Sequence, residues 1–198
     1  MLYIIGVAHR AQARRPGVQE TEAQLAFTRR LDRTIQEIQP AFVAEEDSEE
    51  ALARRGQTSI ARQICTARGI EHRFCDPTIA ERRAINYKDE QTLEFEILRT
   101  RTEDLSDDEI HLKGRAIELG RFFPIREQFW LARLNGCRDH DAVFICGNAH
   151  IESFTGLLHS EGVPYGVVER GIGVTNEENA DFHRVVEYLR AHPELRND

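Results

Sequence analysis

Two short motifs put a histidine in the same setting twice: Gly6-Val7-Ala8-His9 near the start of the chain and Gly147-Asn148-Ala149-His150 in its last third. A glycine at the exit of a strand lets the backbone turn tightly or come close to a ligand. A histidine three residues later can then point back toward the strand ends. Carboxylates fall between the two motifs in chain order, at Glu45-Glu46-Asp47 and at Asp76. Imidazole and carboxylate together can activate water, the histidine acting as general base and the carboxylate orienting it. The donors His9, Glu45, Asp76 and His150 also suit a divalent zinc, manganese or iron ion that leaves one position open for water.

Each residue also has a plainer explanation. A single histidine at a strand end is more often structural than functional, and only the repetition with carboxylates between shifts the balance toward a site. Glu45 and Glu46 should face opposite ways if the strand stays regular, so only one of them enters. Asp76 precedes Pro77 and fits equally well as a turn residue. Arg126 can clamp a carboxylate, phosphate or oxyanion with paired donors, or simply fix a helix to the sheet edge through an ion pair. Cys75 and Cys146 lie near the same edge, but buried strand cysteines are usually inert.

These side chains can meet only if neighbouring strands deliver them to one edge. Short apolar runs rich in Val, Ile and Phe alternate with segments of helical period, the pattern of βαβ units in an α/β fold. The expected strands are residues 2–7, 41–45, 70–75, 142–146 and 164–168. Helices are expected over 21–39, over 48–68 after the Ser48 cap, from Pro124 to Gly136, over 151–160 and over 177–191. The architecture is an open, mainly parallel sheet sandwiched by helices in a single domain of residues 1–198. Residues 78–120, with a capped helix after Ser106, form a helical insertion or lid after the third strand, or a surface for a partner. In open parallel sheets the ligand crevice lies beyond the carboxyl ends of the strands, where His9, Glu45, Asp76 and His150 all fall.

Composition narrows the classes. The chain of 198 residues carries a formal charge of −8, which opposes a general electrostatic grip on nucleic acid or on an anionic membrane. Its arginine pairs are scattered, which suits a solvated surface better than a groove. No run approaches the roughly 20 apolar residues of a membrane span, and the opening residues lack a basic segment, so a cytoplasmic protein is expected. The four cysteines show no CxxC pair and are expected as free thiols. P-loop, GxSxG and HExxH patterns are absent from the sequence.

Taken in order, these motifs resemble the TraB/TIKI and erythromycin-esterase (ChaN-like) superfamily. The resemblance rests on Gly6 to His9, on Glu45 in Phe42-Val43-Ala44-Glu45, on Arg126 in Ile125-Arg126-Glu127-Gln128-Phe129-Trp130, and on Gly147 to His150 after Val143-Phe144-Ile145-Cys146. It covers roughly residues 1–50 and 120–168, and the stretch 87–113 has no counterpart. It implies a relative of metal-dependent proteases, an antibiotic esterase and a haem-binding lipoprotein, and fold transfers across such a group better than reaction does.

Two functions follow as expectations. The first is a hydrolase of peptide or ester bonds, metal-dependent or not, with His9, Glu45 and His150 at its centre and Arg126 stabilising negative charge. The second is a non-catalytic module for a metal, haem or another small ligand. The expected partner is a small-molecule or peptide substrate, with neither nucleic acid nor membrane, and a homo-oligomer is left open. In a third and blander reading, both histidines are structural.

Overall fold

The computed structural model describes residues 1–100 and 104–196. Alternation along the first strand, β1 (Leu2–Val7), sends Leu2 and Ile4 to one face and Ile5 and Val7 to the other. Such two-sided burial marks a central strand. After the one-turn helix α1 (His9–Gln12) and the short strand β2 (Ala13–Arg14) comes α2 (Glu22–Ile38). A capping box starts α2: Gln24 N–H donates to Thr21 Oγ1, and the Gln24 side chain accepts from Thr21 N–H. It ends at Gln39, whose φ of 50° leaves the helix before Pro40. The next strand is β3 (Phe42–Glu45).

The expected single helix over 48–68 is two helices. Helix α3 (Glu49–Arg54) starts from the Ser48 cap and stops before Gly56, which sits at a φ of +61° that most residues avoid. Strand β4 (Thr58–Ser59) then pairs antiparallel with β2, and Ser59 caps a fresh helix, α4 (Ile60–Arg68), by accepting from Arg62 N–H at 2.9 Å. A local glycine and a second cap therefore override the continuous apolar period. Gly69, at a φ of +69°, closes α4 and leads into β5 (Glu71–Phe74).

Residues 79–127 hold α5 (Ile79–Ala84), α6 (Glu90–Thr100) and α7 (Asp107–Ile117), the last opened by a Ser106/Glu109 capping box. A π-helical turn, Glu118–Phe122, joins α7 to α8 (Phe123–Arg133), so the helix expected to start at Pro124 continues an earlier one. Inside a regular helix the Pro124 ring would meet the carbonyl of Gly120, and a widened turn at that point makes room for it. Strand β6 (Ala142–Gly147), a 3₁₀ turn (Asn148–His150), α9 (Ile151–Ser160), β7 (Tyr165–Ile172) and α10 (Asn176–Ala191) complete the order.

The five long strands form one parallel sheet in the order β5-β3-β6-β1-β7, with helices flanking it. Late in the chain, β6 inserts between β1 and β3, with Gly6 opposite Cys146, Val7 opposite Gly147 and Glu45 opposite Ile145. One face packs Leu2, Ile4, Phe42, Phe144, Trp130 and Phe154, and the other packs Ile5, Val43, Ile145, Phe27, Leu31 and Ile60. Each fully buried side chain of this size contributes about 1.5–3 kcal/mol to holding the sheet between its helices.

By contacts the chain falls into two compact units, Met1–Thr78 with Gln128–Val174, and Ile79–Glu127 with Thr175–Asp198. The sheet belongs to the first. In the second, α7 packs on α6 and α10, around Tyr87, Leu93 and Phe122 on one side and Ala116, Val185 and Leu189 on the other. Among the described residues no helix is long and apolar enough to cross a membrane.

Candidate functional site

Because β6 lies between β1 and β3, the residues that leave these three strands are neighbours. His9 follows β1, Glu46 follows β3 and His150 follows β6. The carboxylate of Glu46 has no exposed side-chain surface, and its Oε1 lies 3.8 Å from His9 Nε2 and 3.5 Å from His150 Nε2. Its other oxygen, Oε2, accepts the backbone N–H of Gly147 at 2.5 Å. That contact fixes the carboxylate so that Oε1 faces both imidazoles. Separations of this length are usual for acid–base pairs before a substrate tightens them.

The two histidines differ in setting. The His9 side chain is 61% exposed, whereas that of His150 is 3% exposed. The His150 ring packs edge-on against Trp130, with centroids 4.7 Å apart. Trp130 in turn donates its Nε1–H to Asp76 Oδ1 at 3.3 Å. Asp76 is buried, and its backbone N–H donates to Asp47 O at 3.1 Å. One histidine therefore meets solvent, and the other is set in a shell of aromatic ring and carboxylate.

Glu45 and Glu46 turn opposite ways, as the alternation of a strand requires. The one beside the histidines of the paired motifs is Glu46. Glu45 Oε1 lies 2.9 Å from His72 Nε2 on β5, and both side chains are nearly inaccessible to solvent. Glu45 Oε2 is buried without a hydrogen-bond partner among the described residues. The sequence points to Glu45 because it closes the strand motif. Which of two adjacent carboxylates reaches the histidines depends on where β3 ends relative to β6, and Glu46 N–H donating to Ile145 O at 2.7 Å carries the pairing one residue past the strand.

Asp47 completes the acidic edge. Both its oxygens accept from Arg55 Nη2 at 2.8 Å. Burial nevertheless pushes its carboxyl up to about 6 from an ordinary 3.8, with Glu45 and Asp76 adding to the rise and Arg55 opposing it. The run Glu45-Glu46-Asp47 is visible in the sequence as carboxylates at a strand end, whereas residue types and spacing alone do not single out Trp130. The signal for Trp130 is its place as the chain's single tryptophan on a helix facing the sheet.

Arg126 lies in the second unit, where its guanidinium is 5.6 Å from the Tyr87 ring centroid. Tyr87 donates its hydroxyl to Glu118 Oε1 at 2.5 Å. Burial pushes both the Tyr87 hydroxyl and the Glu118 carboxyl up. The four cysteines are buried and form no disulfide among the described residues, and burial raises Cys65 and Cys75 to about 12.

A divalent metal can be weighed on these donors. Glu45 is engaged by His72 and Asp76 by Trp130. Among the described residues the only set of three or more His, Cys, Asp or Glu donor atoms within 4.8 Å of one another is Glu90, Glu94 and His111, in the second unit. As arranged, His9, Glu45, Asp76 and His150 do not converge as one set of donors. What the arrangement can do is proton transfer at His9, backed by a buried carboxylate. No protein-family model, curated protein or solved structure matches this chain, so the chemistry of the site rests on its own geometry.

Proposed function

We propose that the protein is a hydrolase of peptide or ester bonds that works by metal-free general base catalysis at His9. The observation that carries this reading is Glu46: a buried carboxylate, anchored by the Gly147 N–H, with one oxygen 3.8 Å from a solvent-facing imidazole and 3.5 Å from a buried one.

His9 takes a proton from the attacking water. Glu46, 3.8 Å away, favours the imidazolium that results. His150 acts from the buried side as a positioning residue that keeps Glu46 Oε1 aimed at the site. The proton on His9 then passes to the leaving alcohol or amine. General base catalysis of this kind contributes about 10²–10⁴ in rate.

The test uses the purified full chain against chromogenic acetate and butyrate esters and a fluorogenic peptide library, with chelator present throughout. Hydrolysis that falls about 10²-fold or more in both His9→Ala and Glu46→Gln supports the reading. Hydrolysis unchanged in either variant, or absent from every substrate, overturns it.

A further inference from the structure

The second unit contains a cavity of about 810 Å³, in the range of roughly 300–1,000 Å³ typical of small-molecule sites. One wall is a single face of α6, where Leu93, Glu96, Ile97 and Thr100 recur at helical spacing. The wall supplied by α7 and the π turn includes Lys113, Ile117 and Arg121. Leu93, Ile97 and Phe122 are buried and give the cavity an apolar floor.

Its charge runs against that of the molecule. In a chain of net charge −8, the lining holds the cations Lys88, Lys113, Arg121 and Arg196 but a single carboxylate, Glu96. Lys88 Nζ already holds both oxygens of Glu96, at 2.7 and 2.8 Å. Arg121 Nε donates to Leu195 O at 2.7 Å. Lys113 has no hydrogen bond or ion pair among the described residues, only a longer-range pull on Glu194. A half-buried ammonium beside an apolar floor gains most from an anion that brings its own apolar body, because such a ligand pairs the charge and covers the floor together.

We propose that this cavity binds an amphiphilic carboxylate of medium chain length, with its head on Lys113 and its chain against Leu93, Ile97 and Phe122. The cavity is lined by residues of the second unit alone, and the proposal does not depend on hydrolysis at His9.

The experiment is calorimetric titration of the full chain with octanoate, using octan-1-ol as the chain without charge and acetate as the charge without chain. Octanoate should saturate one site and bind about tenfold or more tighter than either comparator. Lys113→Met, which keeps the apolar stem, should weaken octanoate about tenfold and leave octanol unchanged. Rising salt should weaken octanoate but not octanol, and this holds as the test should the variant fail to fold. Octanoate that binds no tighter than octanol, that ignores both Lys113→Met and salt, or that gives no saturable heat overturns the proposal.

Discussion

A Cβ placed on Gly147 would stand 2.9 Å from His9 Nε2 and 3.2 Å from Glu46 Oε2. The converse holds on the neighbouring strand, where a Cβ on Gly6 would stand 3.0 Å from Asn148 Oδ1 and from Ile151. Each glycine of the repeated motif therefore makes room for side chains that follow the other strand. Neither glycine needs a positive φ; what each supplies is absent volume.

Gly147→Ala tests this directly. The added methyl should push His9 away from Glu46, so hydrolysis falls about tenfold or more with the fold retained, because close contacts of this length force a shift. Circular dichroism and ester turnover on the same preparation check it. Full activity in a folded Gly147→Ala protein would show that the His9–Glu46 geometry is not used.

The two adjacent glutamates should separate by readout. Glu46→Gln is expected to abolish most turnover at a modest loss of stability. Glu45→Gln, which weakens the contact with His72, should cost about 1–3 kcal/mol in denaturant melts and leave turnover within about twofold. Equal effects of the two on turnover would contradict the assignment of Glu46 to the histidines.

Asp47 makes stability depend on pH. Its folded carboxyl sits at about 6 against an ordinary 3.8, so the folded form keeps a proton that the unfolded chain has already released. The stability tied to this proton is fully present below about pH 4 and is lost as pH rises toward 6. The loss is on the order of 3 kcal/mol, because each tenfold difference in proton affinity between the two states is worth about 1.4 kcal/mol. The stability of Asp47→Asn relative to wild type should therefore improve between about pH 4 and 6 and level off above. Urea melts of both proteins across that window check it, and parallel curves would refute it.

Cys65 and Cys75, pushed up to about 12 by burial, hold almost no thiolate at neutral pH. Iodoacetamide should leave them unmodified in the native protein and label them within minutes in denaturant, followed by mass spectrometry. Rapid native labelling at Cys75 would mean that the strand edge opens far more often than its packing suggests.

Much of the fold is legible in the sequence, because the strand and helix periods are local properties. β1 and α9 fall where the apolar pattern puts them, and the Ser48 and Ser106 caps sit at helix starts. The break at Gly56 is hidden because apolar spacing continues across it. The π turn before Pro124 is hidden because proline ordinarily reads as a helix start. For the site, the position of His9 and His150 at strand ends is readable, but their proximity is not. That requires β6 to lie between β1 and β3, a long-range choice that no local spacing encodes. The choice of Glu46 over Glu45 follows from the same insertion.

The order β5-β3-β6-β1-β7 also bears on how the molecule comes into being. β1 and β3 do not pair with each other; the strand that joins them is β6, and the hydrogen bond from Gly147 to Glu46 spans 101 residues. During synthesis the first strands emerge long before their shared neighbour, with apolar faces and backbone edges uncovered. Closing so long a loop is slow, and the waiting segment is prone to aggregation until β6 arrives. The cluster of His9, Glu46 and His150 is thus among the last parts of the sheet to form.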